Sequence, residues 1–314
     1  MSVLRLSNSE MSTWRRCQRK WWLSSYRRLK PAMPPHPGSA LSIGDLVHDA
    51  LAQYYDPDVR LDPIAYVQNL IDEDIAAMPM LEDDLLKERD LVTIMLEGYF
   101  EWLAETGHDQ DLVIHGAERM VDVPMTPEGD VRLLSKLDAP VERVSDGAKL
   151  ALEHKTTGSL DKNLEGLKLN TQFLTEHLAR FMADMAQGAT AEEAYDACHG
   201  ILLNQLRKVK RTAQAKPPFY AREDVPHNIH ELRNHWKHVM STARQIQAAT
   251  ARLDAGEDHQ LVVPPNPISD RCPWDCPFYK VCVMFDDGSD AEGAIEAMYV
   301  DHDPLERYAG AEAL

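Results

Sequence analysis

Residues 131–157 read VRLLSKLDAPVERVSDGAKLALEHKTT, and this stretch decides the fold. Two short segments, 131–144 and 148–156, are alternating or β-branched, with a turn signal at Asp146–Gly147 between them, so they read as a β-hairpin. Side chains alternate across a strand. Glu153 and Lys155 therefore share one face, while Leu150, Leu152 and His154 share the other. The hairpin brings Asp138 beside that Glu–Lys face. Two carboxylates with a nearby carbonyl are what Mg2+ or Mn2+ requires, because hard cations take oxygen ligands. A metal of that kind activates water and neutralises charge on a phosphodiester, and Lys155 would orient the water or stabilise the transition state. On this motif alone, solvated residues at strand ends remain an alternative.

Outward from the hairpin, 8–26, 41–55, 63–77, 82–105, 171–187 and 228–253 carry helical apolar spacing, with Ser7 or Asn8 as N-cap of the first. Residues 112–125 and 200–206 read as further strands. Helices, a strand meander, then helix–strand–helix predict one α/β domain over 1–285 with a mixed sheet flanked by helices. The segment 286–314 is acidic with few large apolar residues, and is expected to be disordered or weakly helical. No apolar run reaches the ~20 residues of a membrane helix and the first residues are not a signal peptide, so a cytoplasmic protein is expected.

The formal charge of −18 runs against nucleic-acid binding, which needs Lys and Arg. Its distribution changes the picture. Nine acidic residues against one Arg after position 285 supply −8 of it. Between Trp14 and Lys30 lie seven basic residues and no acidic one, among them Arg15, Arg16, Arg19 and Lys20, the expected DNA contacts. A second basic cluster is Arg207, Lys208, Lys210, Arg211 and Lys216. Trp14, Trp21 and Trp22, interleaved with the first cluster, suit either base stacking or a core.

Other residues support the carboxylate site. Gly44 and His48 are four apart on one helical face, continued by Leu51 and Tyr55, and the glycine leaves room for a metal, substrate or strand. Glu118 on a strand is a weaker candidate. Gln172 opens a helix soon after the ExK strand and would hydrogen-bond to the site or to DNA.

The five cysteines are Cys17, Cys198, Cys272, Cys276 and Cys282, the last three within RCPWDCPFYKVC. Closely spaced thiols in a cytosolic chain argue for metal rather than disulfides. Cys17 is the better fourth ligand, and Cys198 reads as a buried apolar thiol. Iron–sulfur, zinc and free thiols are all open at this point, although zinc ribbons prefer C-x2-C pairs.

In this order, SxS…C, G-x3-H, a strand acidic residue, Asp138, Glu153-x-Lys155, a helix opening at Gln172 and a terminal cysteine trio resemble the RecB-like PD-(D/E)XK nucleases. The branch with an iron–sulfur cluster, AddB-type and CRISPR-associated exonucleases with phage relatives, is the most similar. The resemblance covers about Ser7 to Cys282. It implies a restriction-endonuclease-like core whose metal is held by His48, Asp138, Glu153 and the main-chain carbonyl of His154. Asp138, Glu153, Lys155 and Gln172 would be catalytic. Cys17, Cys272, Cys276 and Cys282 would hold a 4Fe–4S cluster that staples the N-terminal segment to the C-terminus. Two positions depart from the family pattern: Glu176 stands where Q-x3-Y has tyrosine, and the first cysteine gap is x3 rather than x2. With no phosphate-loop motif, a stand-alone DNA exonuclease on single-stranded or resected ends is implied, in recombination, repair or phage DNA processing with a recombination or helicase partner. The competing reading is an inactive DNA-end or partner-binding protein on the same fold. Oligomeric state is open.

Overall fold

A computed structural model describes residues 3–59, 61–160, 164–268 and 271–308. In chain order the elements are β1 (Leu4–Ser7), α1 (Asn8–Arg16), α2 (Gln18–Trp21), β2 (Leu29–Pro31), α3 (Ala40–Tyr55), α4 (Pro63–Ala77), α5 (Glu82–Thr106), β3 (Leu112–Ile114), β4 (Arg119–Pro124), β5 (Val131–Leu137), β6 (Ala139–Arg143), β7 (Lys149–Thr157), α6 (Leu164–Lys168) and α7 (Thr171–Ala186). They continue with α8 (Ala191–Asp196), β8 (Gly200–Arg207), β9 (Tyr220–Pro226), α9 (Ile229–Asp254), α10 (His259–Val262), α11 (Cys272–Asp275), α12 (Tyr279–Asp287), α13 (Ala291–Met298) and β10 (Tyr299–Asp301). The described residues divide into two compact units, one drawn from 1–34, 122–135 and 233–310, the other from 35–121 and 136–232.

The second unit is built on a five-stranded sheet of order β3-β6-β7-β8-β9. β7 and β8 run parallel, and the other neighbours are antiparallel. A parallel pair needs a crossover rather than a tight turn, and here α6, α7 and α8 supply it. Leu150 and Leu152 of β7 join Ile43, Val47 and Leu51 of α3 and Val92, Leu96 and Tyr99 of α5 in one buried core. The other face of β7 carries Ala151 and Glu153, also buried. A strand covered on both sides loses the clean alternation of a half-exposed one, which is why LALEH is almost continuously buried.

In the first unit, Ser7 caps α1 by accepting a hydrogen bond from the Glu10 N–H at 3.3 Å. The expected single helix over 8–26 is broken: Cys17 is extended at φ −160°, ψ 114°, α2 restarts beyond it, and Trp22–Tyr26 forms a π turn. Trp14, Trp21 and Trp22 are buried. Trp14 and Trp21 meet edge to face at 4.9 Å, and the Trp14 indole N–H donates to Gln245 of α9 at 3.1 Å. These tryptophans are core, so the base-stacking reading falls away.

Two further expectations change. The strand over 131–144 is bent at Asp138, so β5 and β6 belong to different sheets, β5 lying between β1 and β4. Of the acidic segment 286–314, residues 309–314 lie outside the described residues, and the part before them carries structure: α12 crosses 286, and α13 and β10 follow it. Ala291, Ile295 and Tyr299 recur at helical spacing and are buried. Tyr299 stacks on Phe278 at 5.1 Å, and its hydroxyl donates to the Pro277 carbonyl at 2.8 Å. β10 then pairs antiparallel with β2. A few well-placed apolar residues offset the like-charge repulsion that composition suggested. Ile295→Ala is expected to cost about 2–5 kcal/mol in urea unfolding, whereas the exposed Glu296→Ala stays within about 0.5 kcal/mol.

Candidate active site

The register Ala139↔Leu152 between β6 and β7 puts Asp138, one step further on, across from Glu153. The bend at Asp138 leaves its main chain free to be gripped from both sides. Its carbonyl accepts the Glu118 N–H at 2.9 Å, and its carboxylate Oδ2 accepts the His154 N–H at 2.8 Å. His48 of α3 comes to the same oxygen, Nδ1 to Oδ2 at 3.4 Å. Glu153 is turned the other way. Its Oε1 receives the Lys155 ammonium and, at 2.7 Å, the Gln172 amide. Gln172 sits in the first turn of α7, which Asn170 caps by accepting the Gln172 N–H at 2.9 Å. The same Gln172 amide nitrogen donates to Glu176 at 2.8 Å.

Asp138, Glu153 and Glu176 are all buried, and the cost of burying a carboxylate sets their protonation. Burial and the neighbouring Asp138 charge raise Glu153 to about 7, although Lys155 and His48 pull the other way. Burial would raise Asp138 too, but the His48 cation outweighs it and holds Asp138 well below the usual carboxylate range. For His48, burial favours the neutral ring, yet Asp138 and Glu153 lift it to about 9. Burial and the charge of Glu153 push Glu176 well above the ordinary value, and one of its oxygens has no hydrogen-bond partner. Glu176 is the site member that the sequence did not announce, since it appeared only as a missing tyrosine.

The remaining candidates divide. Glu118 adopts positive φ, +52°, and its side chain pairs with Lys136, so only its backbone reaches Asp138. Gly44 lies against β7, where an added Cβ would meet the Thr156 hydroxyl at 3.5 Å, an ordinary contact. Among the expected DNA contacts, Arg19 is corrected: it is fully buried and donates to the Cys282 carbonyl, Asp286 and Gln260. Arg16 pairs with Asp275 at 2.5 Å, exposed Arg15 donates to the Thr242 hydroxyl, and Lys20 is half-buried.

Cys17, Cys272, Cys276 and Cys282 border one cavity of about 160 Å³ in the first unit, and all five cysteines are free thiols. Cys17 Sγ accepts the Asn266 N–H at 3.4 Å and Cys272 Sγ the Ile268 N–H at 3.3 Å. The Arg19 guanidinium reaches Cys282 Sγ at 3.8 Å. N–H donors aimed at sulfur suit thiolates, but the four sulfurs are not gathered into a group able to hold a metal ion. Cys198 is buried in the other unit, where burial raises its thiol to about 11. Among the described residues no three His, Cys, Asp or Glu side chains are grouped closely enough to hold a metal ion as they stand. The carboxylates are held by protein donors instead.

The model of the PD-(D/E)XK nuclease superfamily matches residues 5–283, and the chain belongs to that superfamily. No curated protein matches it. Nucleases of this superfamily typically work with Mg2+ or Mn2+. Among the described residues no helix is long and apolar enough to cross a membrane.

A carboxyl group that titrates near 7 must lose its proton before it can bind a metal. Mn2+ affinity, followed by calorimetry, is therefore expected to rise with pH through 7, as Glu153 loses its proton, and on toward 9, as His48 loses its own. Removing the Lys155 cation raises the Glu153 pKa further, so in Lys155→Met the rise moves to higher pH.

Proposed function

We propose that this protein is a divalent-metal-dependent DNA exonuclease acting on single-stranded or resected ends. His48, Asp138, Glu153 and the main-chain carbonyl of His154 would hold Mg2+ or Mn2+. The observation that carries the reading is the convergence of two buried carboxylates, Asp138 and Glu153, with Lys155 and Gln172 at one place on the central strands. When bound, the metal supplies Lewis-acid stabilisation and lowers the pKa of water. The chain's residues do the positioning. Lys155, beside Glu153, would orient the attacking water and offset the charge that develops on the phosphoryl oxygens. Gln172 keeps Glu153 from turning away. His48 and the His154 N–H do the same for Asp138. The water gives up a proton to solvent as its oxygen bonds to phosphorus, the phosphorus–ester oxygen bond breaks, and the leaving oxygen takes up a proton from solvent.

Exonuclease activity and a setting in recombination, repair or phage DNA processing, with a recombination or helicase partner, rest on the resemblance to RecB-like nucleases. So does a 4Fe–4S cluster on Cys17, Cys272, Cys276 and Cys282, whose role would be to brace residues far apart in the chain. For DNA binding the better-placed charges are those after β8. The Lys208 N–H donates to the Thr157 carbonyl at 2.7 Å, two residues beyond Lys155, and Lys210 and Lys216 are exposed.

Anaerobically purified protein is expected to absorb visible light, to contain iron and to degrade single-stranded DNA only with added Mg2+ or Mn2+. Glu153→Ala and Lys155→Ala should each lower cleavage by about 10²-fold or more. Full cleavage in either variant refutes the assigned site. Intact DNA binding by a metal-loaded but inert wild type would make the protein a DNA-end binder.

Replacing Lys208, Lys210 and Lys216 together by Ala should raise KM with little change in kcat. The salt dependence of binding should flatten by about 0.7 in log–log slope for each phosphate of the single strand that no longer meets a cation. An unchanged slope would move the DNA path elsewhere.

A further inference from the structure

Three residues in cross-strand register lie beside the ExK motif: His154 of β7 is paired with Asn204 of β8, and Asn204 with Arg222 of β9. His154 and Asn204 are buried, as is the Arg222 side chain. Arginine has no acceptor. Its Nε–H donates to Asn204 Oδ1 at 3.4 Å, which fixes the amide with its nitrogen pointing away. That nitrogen can only donate, and it faces His154 Nδ1 at 2.9 Å and the Tyr99 hydroxyl at 2.9 Å. The imidazole is therefore the tautomer with its proton on Nε2. Arg222 is itself anchored by Asp109 at 2.7 Å and by the Tyr55 and Tyr99 hydroxyls, each at 2.8 Å. The Tyr55 ring in turn stacks on His154 with centroids 5.1 Å apart.

We propose that this one-way chain of donors, Arg222 to Asn204 to His154, is a positioning device for the metal site. Its effect is exerted through the peptide of His154, whose N–H holds Asp138 at 2.8 Å. The ring is clamped between a donor and an aromatic face, so the backbone between Glu153 and Lys155 has one orientation. Asn204 and Arg222 touch neither the reacting atoms nor the metal, and are positioning residues. The inference rests on the metal-site reading above.

The test uses the whole chain and Mn2+ as probe. Asn204→Asp keeps the shape of the side chain and its bond to Arg222, but removes the donor facing Nδ1. Nitrogen NMR of the imidazole is expected to report movement of the proton from Nε2 to Nδ1. Mn2+ should bind about 10-fold more weakly, the lower end of the effect of removing a hydrogen-bond partner that orients a metal ligand. The kcat at limiting Mn2+ falls and is restored by excess Mn2+, while KM for DNA stays constant. Arg222→Met, with the amide free to turn over, should show the same metal defect at a temperature where unfolding curves confirm that it is folded. Wild-type Mn2+ affinity in a folded Asn204→Asp protein overturns the proposal, as does an unmoved tautomer. If Arg222→Met does not fold, Asn204→Asp decides alone. Should the wild type itself bind no Mn2+, the metal-site reading fails instead.

Discussion

The structure turns on two buried carboxylates facing each other across a hairpin. Taking a carboxylate out of water costs several kcal/mol even after relaxation, and two neighbouring ones repel. The fold answers with a separate cationic partner for each. Asp138 has His48 and a peptide N–H, while Glu153 has Lys155 and the Gln172 amide. The elements that bring those partners are the ones that define the second unit: α3 for His48, β7 for Lys155, α7 for Gln172. The helix–sheet packing is thus specified at the same residues as the candidate site.

The partners are also unequal, and that inequality has a use. Asp138 is held firmly ionised, while Glu153 titrates near neutrality. On the metal-site reading proposed above, one fixed charge and one adjustable charge would attract a divalent cation without the site having to carry two full anions in its absence. Glu176, buried beside Glu153 and raised well above the ordinary value by burial and by that neighbour's charge, adds a third carboxyl to the cluster.

Much of this was legible because strand alternation is a strict rule. Glu153 and Lys155 had to share a face, and the turn at Asp146–Gly147 had to bring Asp138 back. The capped start of α7 carried Gln172 along. What stayed hidden was set by tertiary packing. Nothing local marks Asn204 or Arg222, polar residues in short strands, as a buried pair, because their partners lie on α3, α5 and β7. Nor does local pattern break the helix at Cys17, whose neighbours have ordinary helical preferences. Composition misled twice. The acidic segment buries Ile295 and Tyr299, and the basic helix spends Arg19 inside the protein rather than on a phosphate.

The extended backbone at Cys17 carries a consequence for how the molecule is made. Position 17 leaves the ribosome 255 residues ahead of position 272, and Asn266, whose amide also holds the Arg16 carbonyl at 2.9 Å, comes almost as late. Closing so long a loop is slow compared with forming the local contacts of β6, β7 and α7. Residues 35–232 are therefore complete as a chain well before the thiols can meet. Biosynthesis imposes an order on the chain: the described residues of the second unit are all made before Cys272, Cys276 and Cys282.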